Sequence, residues 1–433
     1  MSSRLYVHTH QIPVGQGGML ICNIETGGGA RPFSFMFDCG SLDRKLIGKV
    51  LTRESARLPS IIDVLFISHL DIDHVQGIDL LFTNTSTKVH TVVLPHIDTF
   101  TLISAAAVTK GDVTSDYLAF LSDPAGWLRK RHVSVVIQLT RDDGDSGTLT
   151  SDIEAPPILW GALEDREGPR LRVVGREAPG EKRQLSQVAE DLKRGSSATQ
   201  KILMSRVQFQ IGAPRTPRWI VAPYCHVFDA RKMRAFHAKV AAFIKTNLAK
   251  SPSSWGIKRG DLLQRVIGDP ALRARLKKCY KALHNDDNVP SLSVYSGEPP
   301  HSRGHGGLDK TALSSCSWHD DRDSSSLGWL TTGDAILTTD YLFDAWREFY
   351  SEIFEKVGIF GLPHHGSKLA FTAERFLYVT ELASARLLVC AKSNAKKHPH
   401  PDLVTDLAAL GKELIRVSEK PESRYFEIAW VPA

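Results

Sequence analysis

The chain has 433 residues, of which 42% are hydrophobic and 24% charged, with a formal net charge of +6. That length exceeds one ordinary core and suits a large domain carrying an insertion, while so mild a basic balance is too common to indicate nucleic acid by itself. No apolar run reaches the length of a bilayer crossing and Met1 to Tyr6 has no apolar h-region, so neither a membrane protein nor a secretory leader is expected.

Strand-like runs dominate the start: Arg4 to Thr9, Met19 to Glu25, Phe33 to Phe37, Ile61 to Ile67 and Val89 to Leu94. Helical patterns at Leu46 to Arg53 and Val75 to Phe82 separate some of them. From residue 99 the pattern changes. Thr101 to Leu121 is helix-capable, Val133 to Gln138 reads as a strand and Glu181 to Lys201 as a polar helix. Arg218 to Ala222 reads as another strand. Met233, Phe236, Val240, Phe243 and Ile244 recur at helical spacing between Asp229, a candidate N-cap, and Leu248. Asp261 to Leu283 reads as helix interrupted at Asp269-Pro270. Gly297 to Leu327, rich in Gly, Ser, His and Asp, reads as a long mobile loop. Strand patterns return at Gly328 to Thr332, Val357 to Leu362, Leu387 to Ala391, Leu414 to Val417 and Tyr425 to Trp430. Cys22, Cys39, Cys225, Cys279, Cys316 and Cys390 are scattered without a Cys-x-x-Cys pair, which fits reduced thiols of a cytoplasmic protein.

The chemistry concentrates at Ser68-His69-Leu70-Asp71-Ile72-Asp73-His74, directly after the run Ile61 to Ile67. In extended backbone His69, Asp71 and Asp73 would face one side, with His74 at the turn. Two nitrogen and two oxygen donors so close together are expensive to bury without cations. A pair of metals satisfies them; so does a solvated polar turn whose acids cap a helix. Four further segments have polar groups at the end of an apolar run, where open α/β sheets carry function: Val14-Gly15-Gln16-Gly17 before Met19 to Ile24, Phe35 to Gly40 ending Asp-Cys-Gly, Trp329 to Asp334 ending Gly-Asp, and Ile359 to Lys368 carrying Pro-His-His-Gly-Ser.

With those motifs in that order, the chain resembles the metallo-β-lactamase superfamily. Within it the likeness is to the hydrolase domain of ComEC-type competence (DNA-uptake) proteins, which carry His-x-Asp-x-Asp-His and a late Ser-x-x-x-x-His-Pro-His, here Ser393 to His400. The resemblance implies an α/β fold, an αββα sandwich with halves at 1–98 and 285–433. Residues 99–284 would be a large insertion, mostly helical toward its end, and basic. Pro13 and Gly18 stand where that family has acids, and no membrane-channel portion is present.

The resemblance also implies a ligand set. His69 and Asp71 would hold one metal, Asp73 and His74 the other, with Asp334 between them and His364 or His365 completing the second. A third ligand for the first metal is missing from the motifs; His96 and His226 are candidates. Asp38 would support the site from behind, and Asn285 to Asn288 matches an Asn-rich turn. Oxygen-rich ligation leaves zinc and manganese open. Two divalent ions suit hydrolysis by an activated water, with Asp73, Lys368 and His398 as catalytic residues and Lys396 and Lys397 as added positive charge. Lys258, Arg259, Arg273, Arg275, Lys277 and Lys278 form a basic concentration suited to phosphates. The expected activity is a phosphodiesterase or nuclease acting on DNA. The alternatives are a hydrolase of a small phosphodiester or lactone-like ester, and an effector subunit controlled by a regulatory protein partner.

Overall fold

A computed structural model describes residues 4–26, 31–96, 102, 113–140, 148–149, 158–159, 170–178, 180–181, 184–194, 199–213, 216–226, 230–247, 259–280, 291–302, 307–313, 316–318 and 326–432. The first part carries β1 (Arg4–Gln11), β2 (Leu20–Thr26), β3 (Phe33–Phe37), α1 (Arg44–Glu54), β4 (Ile61–Phe66), α2 (Ile72–Val75), α3 (Ile78–Asn84) and β5 (Lys88–Pro95). Next come α4 (Ser115–Ser122), α5 (Pro124–Arg129), β6 (Val135–Leu139), β7 (Ile158–Leu159), β8 (Arg170–Glu177), α6 (Leu185–Lys193), β9 (Gln200–Ala213), β10 (Thr216–Cys225), α7 (Ala230–Asn247), α8 (Arg259–Gly268) and α9 (Pro270–Tyr280). The last part carries β11 (Leu292–Gly297), β12 (Gly307–Leu313), β13 (Cys316–Trp318), β14 (Gly328–Thr331), α10 (Asp340–Tyr350), β15 (Val357–Gly361), α11 (Ala373–Leu377), β16 (Arg386–Cys390), α12 (Pro401–Ala409), β17 (Leu414–Val417) and β18 (Tyr425–Pro432).

The protein is a mixed α/β fold. Its strands form one hydrogen-bonded path: β12, β18, β1, β2, β3, β4, β5, β6, β9, β10, β11, β14, β15, β16, β17. Two stretches of that path are parallel, β3 through β6 to the start of β9, and β14 through β17. β9 carries the path across, its first residues pairing with β6 and its later ones with β8 and β10.

Three hydrophobic clusters organise the layers. One contains residues of both parallel stretches, among them Phe35, Phe66, Ile137, Trp329, Ile359 and Leu388. A second packs Met36, Leu65 and Val92 against helix residues such as Ile47, Leu81, Phe120, Phe236 and Leu263. A third packs Leu330, Phe360 and Leu387 against Phe343, Trp346 and Tyr350 of α10. β4 shows how: Val64 and Phe66 face one cluster, and Leu65 and Ile67 the other. Strands covered on both faces read as unbroken apolar runs, and each such large side chain stabilises the fold by roughly 1.5–3 kcal/mol.

Residues 99–284 differ from the expectation of a largely helical insertion. They supply α4 to α9, but also strands β6 to β10, which join the sheet. β9 escaped detection because Ser205, Arg206 and Gln208 are buried along it, which hides its period. The run Gly297 to Leu327, read as a loop, contains β12 and β13. The amphipathic pattern after Asp229 does mark a helix: Phe236, Val240, Phe243 and Ile244 of α7 are buried. Asp269 caps the start of α9 through the amides of Ala271 and Leu272, as the Asp-Pro break implies. Asp229, Lys258 and Asn285 to Asn288 lie outside the described residues. No helix among the described residues is long and apolar enough to cross a membrane.

Candidate metal centre

The C-terminal ends of five parallel strands supply the candidate residues. β3 ends at Asp38, β4 at Ser68 to His74, β14 at Asp334, β15 at His364 and His365, and β16 runs toward His398. Backbone bonds lock these ends together. Ser68 O accepts from Leu292 N at 2.8 Å, Cys39 N donates to His74 O at 3.0 Å, and His364 N donates to Gly333 O at 2.9 Å.

Two glycines make the approach possible. A Cβ on Gly17 would sit 2.4 Å from Gly40 O and 2.6 Å from Asp73 O, so the Val-Gly-Gln-Gly turn backs the His-x-Asp-x-Asp-His loop with no room for a side chain. Gly333 has φ +52°, and its Cβ would lie 2.7 Å from both Ser68 Cβ and Ser291 Oγ. That turn places Asp334, whose amide donates to Ser291 Oγ at 3.2 Å. Asp38, His364 and His365 also have positive φ, at 56°, 47° and 55°. Such strain, on the order of 1–3 kcal/mol per residue, persists where surrounding structure over-determines it, and it gathers at functional sites.

The cluster centres on Asp334, 3% exposed. Its Oδ2 lies 3.6 Å from His69 Nε2 and 3.7 Å from His364 Nε2. Its Oδ1 lies 3.3 Å from His74 Nε2 and 3.9 Å from His365 Nε2. His365 Nε2 is also 3.3 Å from Asp73 Oδ2, and His69 Nε2 is 4.0 Å from Asp71 Oδ2. Two overlapping triplets, His69–His74–Asp334 and Asp73–His74–His365, each hold their donor atoms within 4.8 Å of one another.

The donor set fits divalent cations. His74 Nδ1 is 2.7 Å from Asp38 Oδ2, and His365 Nδ1 is 2.9 Å from Cys390 O. Both acceptors lack protons, so both Nδ1 atoms donate and their Nε2 atoms face inward. The buried Nε2 atoms of His69, His74 and His365 have no hydrogen-bond partner among the described residues. Inward-facing imidazole nitrogens beside buried carboxylates, oriented from behind by a carboxylate for His74 and a carbonyl for His365, are what a metal requires.

The electrostatics agree. For Asp334 burial opposes ionisation, but His364, His74, His69 and His365 outweigh it and hold the carboxyl well below the usual range. Asp73 behaves alike, lowered to about 2 as His74 and His365 overcome burial. For His74 burial favours the neutral ring, yet Asp334, Asp38 and Asp73 prevail and raise it well above normal. In the absence of a cation, a proton on His74 takes its place. Burial lowers His69 to about 4, helped by His74. Asp71, whose side chain keeps 27% of its surface, is raised to about 7 by desolvation and by Asp73 and Asp334.

The other expected residues divide. Asp38, 0% exposed, lies behind His74 as expected of a supporting acid. His398 stacks on His364, with ring centroids 5.5 Å apart and 19° between planes. Lys368 instead pairs with Asp402 at 2.7 Å on the surface. His226 is buried with Nε2 2.7 Å from Ser293 Oγ, His96 is exposed, and neither joins a metal-capable group among the described residues. On α9, Arg275 and Lys278 are exposed and Arg273 and Lys277 half-buried; for Arg259, at the start of α8, only the backbone is described. Sequence reasoning missed Ser68, Ser291 and the carbonyl of Cys390 as supports. Ser68 stood inside the motif, whereas a backbone carbonyl leaves no residue-type signal.

A cavity of about 60 Å³ reaches from between the two parallel stretches to the cluster, with His74, Asp334 and His365 on one wall and Phe37, Trp329 and Leu388 on another.

No protein-family model matches this sequence, and no curated protein matches it significantly. Among solved structures, the chain is similar to the crystal structure of unliganded yeast PDE1, with 9% identity and a TM-score of 0.34, over 99% of this chain and 100% of that one. A likeness at that level carries no argument about function.

Proposed function

We propose that this protein is a metal-dependent phosphodiesterase of the αββα metallo-β-lactamase type, close to the ComEC-type hydrolases, cutting DNA. The observation that carries the reading is the meeting of His69, His74, His365 and Asp334 from three distant segments, with three buried imidazole nitrogens turned toward carboxylates instead of hydrogen-bond partners. The three-cluster layering supports the sandwich, with 1–98 and 285–433 as its halves and 99–284 as the inserted part.

In this reading Asp73, His74 and His365 would hold one ion, and His69, Asp71 and His364 the other, with Asp334 available to both. His364 then fills the place for which His96 and His226 were candidates, because it shares Asp334 Oδ2 with His69. When bound, two such ions, zinc or manganese, supply an activated water and offset negative charge building on the attacked phosphorus. Asp38 and Cys390 O hold His74 and His365 in orientation. His398, against His364, is placed to give a proton to the leaving oxygen. Lys396 and Lys397 are exposed beside it and suit a phosphate backbone, and α9 offers further cations.

The test is a digestion panel with single- and double-stranded DNA, RNA, bis-p-nitrophenyl phosphate and a lactone, with manganese, magnesium or zinc, alongside metal analysis. Cleavage of DNA by the wild type and not by Asp73→Ala supports the reading. Metal uptake with turnover of the small esters alone replaces DNA by a small substrate. No metal uptake ends the proposal.

A further inference from the structure

His74 and His365 are oriented by acceptors that leave one proton arrangement, whereas His69 is held through a hydroxyl, which can donate or accept. His69 Nδ1 lies 2.9 Å from the Ser68 hydroxyl, which lies 2.7 Å from Asp38 Oδ2. The same Oδ2 is 2.7 Å from His74 Nδ1, which meets Ser68 Oγ only at a longer 3.3 Å and so keeps its main bond to Asp38 without the hydroxyl, and Asp38 Oδ1 accepts from the Ser68 backbone N–H at 2.7 Å. Ser68 and Asp38 are both 0% exposed, so water does not compete.

Counting protons settles the direction of each bond. An ionised carboxylate only accepts, and Asp38 is ringed by donors on both oxygens. The hydroxyl has one proton. Were it given to His69, two bare oxygens, Ser68 Oγ and Asp38 Oδ2, would face each other at 2.7 Å with nothing between them. The hydroxyl proton therefore goes to Asp38, and Ser68 Oγ is left to accept from His69 Nδ1–H.

We infer that Ser68 is a positioning residue: its buried hydroxyl extends the single carboxylate of Asp38 to a second imidazole, fixing His69 in the Nδ1–H form with its Nε2 lone pair turned to Asp334. Asp38 thus orients His74 directly and His69 through Ser68. One buried acid accepts the Nδ1–H of His74 directly and fixes the Nδ1–H of His69 through Ser68, and the two rings belong to different proposed metal positions. Removing the hydroxyl loosens His69 and leaves His74 held. This rests on reading both histidines as ligands only for its effect on metal; the tautomer itself does not depend on that reading.

The experiment uses the full chain, metal-free, with ¹⁵N-labelled histidine. Long-range ¹H–¹⁵N spectra report which ring nitrogen carries the proton, with His69→Gln assigning the signal. The wild type is expected to show His69 as Nδ1–H. In Ser68→Ala, a smaller side chain, His69 is expected to shift toward Nε2–H or a mixture while His74 stays unchanged. Titration with zinc or manganese is expected to show a 10–100-fold weaker affinity at one of two positions, the size usual for loss of such a support. Wild-type His69 found as Nε2–H overturns the inference without any variant. An unchanged tautomer in Ser68→Ala overturns it too. A tautomer shift in a protein that binds no divalent ion at all supports the role of Ser68 and removes the metal reading instead.

Discussion

Two buried polar clusters invite comparison. Around Glu427, 3% exposed, both carboxylate oxygens are met: Trp329 Nε1 donates to Oε2 at 2.5 Å, the Tyr425 hydroxyl to Oε1 at 2.8 Å, and Arg386 donates to that hydroxyl at 3.2 Å. Around Asp334, equally buried, the Nε2 atoms of His69, His74 and His365 approach at 3.3–3.9 Å without a hydrogen bond of their own among the described residues. Both lie at strands of the second parallel stretch or beside it, and Trp329 lines the cavity beneath the second cluster. Burial of charge therefore does not distinguish a working site from a structural one. Satisfaction does: a satisfied cluster ties strands together, whereas imidazole nitrogens left unmatched beside carboxylates fit an added cation.

The largest expected effect tests that contrast from the Asp334 side. Asp334→Asn should lower DNA hydrolysis on the order of 10³-fold or more, because it removes the negative charge around which the candidate ligands gather. It should also abolish the rise in melting temperature that zinc or manganese gives the wild type, which thermal scans with and without metal would read. Retained metal stabilisation would place the ions elsewhere.

From the other side, Glu427→Ala should destabilise the protein by roughly 2–4 kcal/mol, since it leaves buried donors unmet, yet leave metal affinity unchanged. Denaturant unfolding and metal titration on one sample would show both. Loss of metal with little loss of stability would reverse the assignment of the two clusters.

Metal binding should be pH-dependent in a definite sense. Because Asp334, Asp38 and Asp73 hold a proton on His74 well above its usual range, a cation must displace that proton. Apparent affinity should rise about tenfold per pH unit across the range where His74 stays protonated, and binding should release a proton into buffer. Calorimetry in buffers of different ionisation heat would detect it.

A smaller, separate effect concerns His10, lowered to about 4 by burial and by Arg424. Its folded pKa lies below the unfolded value of 6.5, so its contribution is full above that value and is lost as pH falls toward 4. The loss should be on the order of 3 kcal/mol, and His10→Gln should flatten it. Denaturant unfolding between those two pH values would measure both. The smallest effect belongs to α9: Lys277→Ala with Lys278→Ala should reduce the slope of log affinity for DNA against log salt by about 0.9 for each phosphate no longer neutralised, with hydrolysis of bis-p-nitrophenyl phosphate untouched.

Most strands before residue 99 and from Gly328 onward were legible because both faces of the parallel strands are covered, which leaves unbroken apolar runs between polar ends. The strands β8, β9, β12 and β13 were not, since buried polar residues or glycine-rich flanks masked their period. Of the site, the His-x-Asp-x-Asp-His loop, Asp334 and the histidine pair could be singled out by residue type and by their position after apolar runs.

Which residues can donate to a cation follows from side-chain chemistry, and their place at strand ends follows from hydropathy, so both were readable before any fold. Which partners they meet was not: His365 beside Asp73, His364 beside His69 across Asp334, Lys368 drawn to Asp402 instead. The reason is that these choices depend on strand pairing and on left-handed turns at Asp38, Gly333 and His364, where contacts between segments far apart in the chain overrule local preference.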